Sequence, residues 1–524
     1  MVTRREELVT SLSDPGKTWD IIIVGGGATG LGTALDAASR GYQTLLLEQA
    51  DFAKGTSSRS TKLVHGGVRY LAQGNIGLVR EALHERGLLL KNAPHLVKNL
   101  SFVIPNYSWW EGVFYGLGLA AYDLLAGKLS LGKTSHISKK ETLDRLPGVE
   151  PKHLHGGIVY HDGQFDDARL AINLAQSSLE QGATVLNYFK VSGIEKDKQG
   201  KVAGVIAKDA ETGKVYHLKA KVVINATGIF VDELLQMDSP GRKPLVRSSQ
   251  GVHLVVDRSF MPSRDALMIP KTDDKRVLFA VPWHDKLVIG TTDTPLDEHS
   301  LEPMATEKEI DFILANAARY LEKAPQRKDV LSVFAGLRPL SAPQDGSAKT
   351  KEISRGHKIV ISDSGLITIT GGKWTTYRRM AEDTVDKAVE VAGLKPVPCV
   401  TEDLPVHGSA QMVDWNDHLY VYGSDRERLL ALIDENKDWA NRLHHRYAYL
   451  RAEVIWAVRY EMARTVEDVL ARRIRLLFLH ARAAIGAAPL TAELMAKELG
   501  RDVQWQNEQV ASFTALAGNY LLHP

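Results

Sequence analysis

The sequence has very little cysteine: one residue, Cys399, among 524. A single thiol excludes an internal disulfide framework and any zinc or iron–sulfur site that needs several cysteines, so we expect no metal site and a reducing compartment. Neither sign of charge is in excess, because 65 lysines and arginines stand against 63 acids for a net charge of +2. This balance gives no argument for nucleic-acid binding, and we expect none.

Long uncharged apolar runs are also lacking. The nearest candidate, residues 109–127, contains Glu111, Asp123 and four glycines, and falls short of the about 20 apolar residues that a membrane span needs. It is predicted to be a buried helix, with an interfacial, membrane-dipping segment as the alternative. At the start of the chain, Arg4 and Arg5 precede two glutamates rather than an apolar run, so no signal peptide is predicted.

A dinucleotide-binding pattern is present near the N-terminus. The β-branched run Trp19–Val24 predicts a buried parallel strand. The glycines that follow have the spacing G-x-G-x-x-G, and they are Gly25, Gly27 and Gly30. A helix rich in small residues over Leu31–Arg40 and a second strand over Thr44–Leu47 come next, and the strand ends at Glu48, where this fold places a carboxylate for a ribose hydroxyl.

The same pattern limits the choice of ligand. No arginine directly follows Glu48, and Asp51 lies close by, so a 2′-phosphate would be repelled and FAD or NAD is predicted rather than NADP. No second G-x-G-x-x-G occurs in a strand–turn–helix context. An enzyme that holds a single redox dinucleotide usually holds a flavin, so FAD is the predicted cofactor.

A second glycine motif is predicted to be a decoy. Gly127–Thr134 reads GKLSLGKT and matches the P-loop pattern. A P-loop needs a buried strand before it and a helix directly after it. Here a helical stretch precedes the motif, and the next helix begins only at the capping box Ser138–Glu141. A nucleotide-binding protein acting through this segment therefore stays a remote alternative.

Two later strand-to-glycine junctions resemble parts of one divided domain. Lys221–Gly228 is a strand that runs into Ala-Thr-Gly, and Leu366–Thr370 is a strand that runs into Gly371-Gly372-Lys373, followed by a helical stretch. The pattern predicts one dinucleotide domain assembled from separated pieces, with another domain inserted between them.

Seven segments in chain order resemble the signature segments of FAD-dependent, quinone-linked glycerol-3-phosphate dehydrogenases, and the resemblance extends over about residues 19–500. The segments are Thr56–Leu71, Asp166–Leu170, Asn225–Gly228, Gly290–Asp293, Gly336–Leu340, Gly371–Arg378 and Arg459–Arg473.

The resemblance implies an α/β fold. A Rossmann-like FAD-binding domain of the glutathione-reductase or D-amino-acid-oxidase type would carry an inserted mixed-sheet substrate domain and an all-α C-terminal domain. The oxidoreductase region would span residues 1–395 and the helical domain residues 396–524. The FAD-binding pieces would be about 19–95, 155–240 and 355–392, and the substrate-binding pieces about 96–154 and 241–354.

The implied reaction is oxidation of sn-glycerol 3-phosphate to dihydroxyacetone phosphate, with hydride transfer from C2 to N5 of FAD. Electrons would pass to a membrane quinone, ubiquinone or menaquinone, from a protein attached peripherally to the cytoplasmic face of the cell membrane; the resemblance leaves a homodimer open. A glycerol-3-phosphate oxidase that uses oxygen and releases hydrogen peroxide is the alternative.

The resemblance also implies site residues. Those that match the family's substrate pocket are Arg69, Tyr70, His253, Arg338, Arg355 and Lys373. His253 is the candidate base, because an imidazole exchanges protons near neutral pH. Arg338 would stabilise the developing alkoxide or take part in proton transfer, and the remaining four would bind substrate.

Cofactor contacts are expected from the glycine turn and from positions where the chain returns to it. The predicted cofactor residues are Gly25, Gly27, Gly30, Glu48, Ser57, Ser58, Lys62, His65, Val191, Gly228, Gly372 and Thr375.

The C-terminal region is rich in arginine. Residues 442–482 contain nine arginines and four acids. A solvated helical face is the ordinary interpretation, and a basic surface for anionic lipid is the alternative. A capping box at Ser424–Glu427 predicts the start of a helix there.

Overall fold

The computed structural model describes residues 5–14, 16–67, 75–273, 276–341 and 356–522. The strands are β1 (Thr18–Val24), β2 (Thr44–Leu47), β3 (Leu63–Val64), β4 (Val97–Asn106), β5 (Ser135–Ser138), β6 (Gly156–Phe165), β7 (Thr184–Leu186), β8 (Phe189–Lys196), β9 (Val202–Asp209), β10 (Val215–Asn225), β11 (Val246–Asp257), β12 (Ala266–Ile269), β13 (Leu278–Trp283), β14 (Lys286–Gly290), β15 (Thr294–Leu296), β16 (Val330–Ser341), β17 (His357–Ile361) and β18 (Ile367–Gly371). The α-helices are α1 (Arg5–Ser11), α2 (Ala28–Ser39), α3 (Ile76–Asn92), α4 (Trp109–Ala126), α5 (Lys139–Arg145), α6 (Asp167–Glu180), α7 (Val231–Asp238), α8 (Glu307–Ala317), α9 (Tyr377–Ala392), α10 (Arg426–Glu435), α11 (Arg451–Tyr460), α12 (Leu476–Leu479), α13 (Ala481–Leu499) and α14 (Val503–Gly518).

The first sheet is built on parallel strands in the order β18-β10-β1-β2-β7, with β17 antiparallel at one edge. Both of its faces are covered, which explains the unbroken apolar run of β1. Ile21 and Ile23 pack in the same core as Leu31 of α2. Ile22 packs in another core with Val205 of β9, in the antiparallel extension β8–β9–β10.

The second sheet is mixed and follows the order β15-β11-β14-β13-β12-β4-β6-β3, with β16 paired to β11 and β5 paired to β6. The long antiparallel pair β11 and β16 runs from Val246 opposite Ser341 to Val256 opposite Val330. Strand β6 pairs with β4 in this sheet, although the predicted FAD-binding piece begins at about residue 155. The chain therefore returns to the first domain after Phe165, at helix α6.

The C-terminal region is helical, and three of its arginines are buried instead of forming part of a solvated face. Arg472, Arg473 and Arg475 are buried, and a π-helical turn over Asp468–Arg473 carries the first two of them. Both proposed roles of this arginine-rich stretch, a solvated face and a lipid surface, are therefore wrong for these three residues. Arg472 pairs locally with Glu467 and Asp468. It also pairs with Asp51, which is distant along the chain, so local spacing could not reveal the burial.

Asp51, just after β2, is the central partner of the buried arginines. Its carboxylate accepts hydrogen bonds from Arg472 Nε at 2.5 Å and from Arg473 Nη1 at 2.7 Å. Burial alone would raise the pKa of Asp51, but the two guanidinium groups hold the pKa well below its ordinary value. Asp51 thus ties the C-terminal domain to the first sheet through charge.

The predicted capping box at Ser424–Glu427 is wrong by one residue. Helix α10 begins at Arg426 with Asp425 as its N-cap, and the Asp425 side chain makes no capping hydrogen bond. The carboxylate of Asp425 instead accepts a hydrogen bond from Arg428 at 2.9 Å and contacts His407 at 2.6 Å. Side-chain pairing replaces capping here.

The P-loop-like segment has the structural context that was predicted for a decoy. Helix α4 ends directly before the segment, which begins with a short 3₁₀ turn over Gly127–Leu129. Strand β5 follows the segment, where a P-loop would have a helix. Helix α4 buries Leu119 and Tyr122 but leaves Leu124 82% exposed. Across the described ranges, no helix is both long enough and apolar enough to cross a bilayer.

Replacing Asp51 should destabilise the whole chain. In Asp51→Ala, Arg472 and Arg473 lose a buried counter-ion, and removing one partner of a buried ion pair costs about 3–5 kcal/mol of unfolding free energy. Denaturant titration of both proteins measures the difference. Asp434→Asn is the control, since its pair with Lys437 is on the surface and should matter little. An Asp51→Ala protein as stable as the control would contradict the central position of this carboxylate.

Candidate active site

The glycine turn between β1 and α2 can be formed only by glycines. Gly25 has φ +113°, and a Cβ there would lie 2.6 Å from the carbonyl oxygen of Ala226. A Cβ on Gly30 would lie 1.8 Å from the carbonyl oxygen of Gly25. The turn therefore packs against the end of β10 and brings the N-terminus of α2 to the edge of the sheet, the arrangement that accepts a pyrophosphate.

A cleft opens at this edge, beyond the carboxyl ends of the parallel strands. The predicted site residues that line it are Gly25, Gly27, Glu48, Ser57, Val191, Gly228, Gly372 and Lys373. They come from separate parts of the chain, as the interpretation of a divided dinucleotide domain requires. The opening lies between strands β2 and β10, which flank β1, at the position where such folds bind dinucleotides.

Glu48 and Ser57 shape the turn from the other side. Glu48 accepts hydrogen bonds from the backbone amides of Gly26 at 2.6 Å and Ala50 at 2.9 Å. Burial raises the pKa of Glu48 above its ordinary value. The Ser57 hydroxyl accepts a hydrogen bond from the amide of Ala28, the first residue of α2, at 2.9 Å. Both side chains hold the backbone that a phosphate would meet.

Four other predicted cofactor residues support the cleft without lining it. Lys62 is fully buried and donates to Asp167 at 2.7 Å and to the carbonyl of Ser58 at 2.8 Å. Burial lowers the pKa of Lys62 to about 7, against the opposing pull of Asp167. His65 and Thr375 bond to each other, with the His65 amide donating to the Thr375 hydroxyl at 3.2 Å.

His253 and Arg338 lie on one face of the β11 and β16 pair. Ser249 is directly opposite Arg338, and residues directly opposite share a face, as do residues two apart on one strand. A Cβ on Gly251 would lie 2.3 Å from Arg338 Nη2, so the guanidinium lies over that glycine. Residues 249, 251 and 253 lie on the same face of β11, so the Arg338 guanidinium extends along that face toward His253.

The environment of His253 keeps its imidazole neutral. It is 2% exposed, and its ring stacks on Phe334 with centroids 4.8 Å apart. Burial, with the charges of Lys62 and Arg338, lowers the pKa of His253 well below its ordinary value. Its Nε2 lies 2.9 Å from the hydroxyl of Thr61. A neutral imidazole has a lone pair available to accept a proton.

Arg338 is held by a neighbouring loop. Its Nη2 donates to the hydroxyl of Thr291 at 3.1 Å, and its Nη1 lies 3.8 Å from Asp293. Pro339, the next residue along β16, lines the cleft. The hydroxyl of Thr56 donates to the carbonyl of Leu337 at 2.5 Å. The strand that carries Arg338 therefore meets the cleft directly.

Several of these contacts were not among the predicted site residues. Thr61 and Thr291 touch His253 and Arg338, and Trp374 donates its indole N–H to the carbonyl of Ser57 at 2.8 Å. All three lie inside the signature segments named above. The sequence therefore pointed to these segments, but the contacts of the individual side chains depend on the fold. The predicted substrate residues Arg69, Tyr70 and Arg355 lie outside the described residues.

The cleft fits FAD on the geometry of its own residues. The glycine turn leaves a space that any side chain there would fill, and with the N-terminus of α2 it can hold a pyrophosphate. The carboxylate at the end of β2 can bind a ribose hydroxyl. The fold and cleft thus define an FAD-dependent oxidoreductase. A family model described as "FAD dependent oxidoreductase" matches residues 20–378, and one described as "C-terminal domain of alpha-glycerophosphate oxidase" matches residues 367–509.

Individual proteins resemble this chain over nearly its whole length. A probable mitochondrial glycerol-3-phosphate dehydrogenase of Caenorhabditis elegans is 42% identical, covering 97% of this chain and 74% of that protein. The mitochondrial glycerol-3-phosphate dehydrogenase of Saccharomyces cerevisiae is 38% identical, covering 95% and 90%. The crystal structure of glycerol-3-phosphate dehydrogenase from Bacillus halodurans complexed with FAD has a TM-score of 0.80 at 31% identity, covering 98% and 97%. The chain belongs to the FAD-dependent glycerol-3-phosphate dehydrogenase family, which confirms the predicted fold class and FAD as the cofactor.

Gly30→Ala should abolish retention of FAD. Its methyl group would have to occupy space 1.8 Å from a backbone carbonyl, so the turn must open and the phosphate cradle is lost. The ratio of flavin to protein in the purified variant measures this. Gly77→Ala in helix α3, where a Cβ meets nothing within 4 Å, should keep its flavin. A fully yellow Gly30→Ala protein would show that the turn does not hold the cofactor.

Proposed function

We propose that this protein oxidises sn-glycerol 3-phosphate at C2 to dihydroxyacetone phosphate. The observation that carries the proposal is the placement of His253 and Arg338 together on the strand pair whose end lines the FAD cleft. When bound, FAD supplies the acceptor for a hydride from C2, at N5. Family membership over nearly the whole chain supports the choice of substrate.

His253 has the properties needed to receive the proton of the C2 hydroxyl. Its imidazole is neutral, buried and held by Thr61 on one nitrogen. In the described part of the chain, its buried Nδ1 has no hydrogen-bond partner, and a substrate hydroxyl that reached the ring would satisfy this nitrogen. Arg338, fixed by Thr291 and Asp293, would stabilise negative charge that develops on the C2 oxygen.

The phosphate of the substrate requires cations. Lys373 lines the cleft directly after the two glycines at the end of β18, where an ammonium can meet a phosphate as a point charge. We assign Arg69, Tyr70 and Arg355 to the same task from the family's pattern. The cofactor roles of the twelve predicted residues are part of this proposal, with Ser58 and Lys62 as supports behind the cleft.

The electron acceptor is proposed to be a membrane quinone. Because a quinone lies in the membrane, we also propose peripheral attachment to the cytoplasmic face of the membrane. The exposed Leu124 of helix α4 could contact the apolar part of the bilayer. We also propose that the oxidoreductase region ends near residue 395, where the helical domain begins, and that the protein can form a homodimer. An oxygen-using oxidase remains the second candidate, because the matched C-terminal family model carries an oxidase name.

Anaerobic mixing of the yellow protein with glycerol 3-phosphate tests the reaction. The flavin absorbance should bleach, since two electrons move from substrate to FAD. A quinone analogue added afterwards should restore the absorbance faster than oxygen does. Glycerol, which lacks the phosphate, is the matched control and should bleach slowly. Absorbance that never falls with glycerol 3-phosphate would refute the proposed substrate, and faster return with oxygen would favour the oxidase.

Removing the proposed base should slow the same bleaching. His253→Asn keeps a polar group of smaller size but cannot accept the proton, and loss of a general base costs about 10²–10⁴-fold in rate. Stopped-flow absorbance measures the rate constant while the flavin content reports cofactor retention. His299→Asn is the control, because it also removes an imidazole that bonds to a side chain of β11, that of Ser248, but it has no part in the proposed proton transfer. An unchanged rate in His253→Asn would remove this histidine from the reaction.

A further inference from the structure

A second cavity lies between the second sheet and the C-terminal domain. Its volume is about 680 Å³, within the range of small-molecule sites. Its walls come from β4, the segments around residues 258–264 and 282–285, and two stretches of the C-terminal domain, residues 415–420 and 442–449. None of the residues that line the FAD cleft lines this cavity.

Cations dominate the walls of this second cavity. The cationic lining residues are Lys98, Arg258, Arg264, Arg442 and Arg446. Within the ranges that the structure describes, none of the five forms an ion pair with a carboxylate. Arg258 donates to the backbone carbonyl of Ser263 at 2.7 Å, and the Lys98 ammonium lies 5.1 Å from the Trp415 ring centroid. Both contacts leave the positive charge uncompensated.

Acidic groups do not cancel this charge. Asp285 is the one acid in the described lining, and its carboxylate is 2.5 Å from the ammonium of Lys286, which lies outside the lining. His418 is bound to Glu453 at 3.2 Å. Burial, with the nearby charge of Arg258, lowers the pKa of Lys98. Like charges therefore face one another across the cavity, and such an arrangement favours a bound anion.

Aromatic rings form the rest of the wall. Trp415 and Tyr420 lie with ring centroids 4.7 Å apart, and Tyr447 and Tyr449 lie 6.3 Å apart. These rings have few rotatable bonds and give the cavity a firm, low-dielectric side. An anion held against them is less screened by water than one on an open surface, so each guanidinium contact is stronger.

We propose that this cavity is a second ligand site, for a small molecule with a multiply charged phosphate group, such as an organic diphosphate or triphosphate. Arginine forks match phosphate oxygens bidentately, and four of the five cations are arginines. Binding removes the mutual repulsion of the five cations. A concave site with cations on opposing walls fits a compact anion better than it fits a planar lipid surface. The proposal does not depend on the reaction assigned to the FAD cleft.

Isothermal titration of the FAD-saturated full chain tests the site. Inorganic triphosphate and ADP are the probes, and comparison of the two shows whether the anion alone or an attached ring contributes. We expect one site per chain and binding that weakens as salt is raised, because cations carry the interaction. Saturating FAD keeps ADP from the cleft.

Variants separate this cavity from other anion sites. Arg442→Gln with Arg446→Gln should weaken triphosphate binding by about tenfold or more, because two charge-assisted contacts with the anion are lost. Arg264→Gln, at an exposed position, gives a milder single change if the double variant folds poorly. Arg482→Gln is the matched control, being exposed, in the same domain and outside the lining. It should bind as the unmodified protein does.

Three results would overturn the proposal. The first is no heat of binding with either probe. The second is equal affinity in the Arg442→Gln, Arg446→Gln protein and the unmodified chain. The third is capture by phosphatidylglycerol vesicles, lost in the double variant, from a protein that binds neither probe in solution. That last result would make the five cations a membrane surface instead.

Discussion

The contact of Asp51 with Arg472 and Arg473 is the constraint on which the rest of the structure depends. Asp51 lies three residues after Glu48, so the same short segment faces the FAD cleft on one side and the C-terminal domain on the other. A buried ion pair adds little net stability compared with apolar packing, because desolvation offsets much of the attraction. Its directional hydrogen bonds instead allow one arrangement of the two domains.

The stretch from Thr56 to His65 performs a similar task between the two sheets. Thr56 bonds to the backbone of β16, Ser57 holds the first turn of α2, and Thr61 touches His253. Lys62, buried between Asp167 and a ring of aromatic side chains, anchors the stretch from behind. A shift of this one segment would move the phosphate cradle and the proposed base together. The cofactor cleft and the proposed base are therefore coupled through this stretch of backbone.

The features that could be predicted from the sequence are those that depend on residues close together along the chain. The glycine turn, its flanking strands and Glu48 follow from steric rules that act within 30 residues, and the P-loop-like segment could be rejected from its immediate context. The buried arginines could not be predicted, since Arg472 and Asp51 are 421 positions apart. Strand β6 was assigned to the wrong side of a boundary for the same reason, because pairing with β4 decides its sheet. His253 was proposed from family resemblance alone, and its role stays a prediction; its burial depends on long-range packing that the sequence does not show.

The net charge of +2 conceals two kinds of arginine that the fold separates. Arg472, Arg473 and Arg475 are buried and matched to carboxylates, so they contribute to architecture and are closed to ligands. Arg442 and Arg446 come from the same arginine-rich stretch, yet they face a cavity without carboxylate partners among the described residues. Burying a cation costs so much desolvation that it needs a matched acid, whereas a cation at a cavity wall can stay hydrated until an anion arrives. The distinction between structural and ligand-binding arginines therefore lies in their partners, and composition alone carries no trace of it.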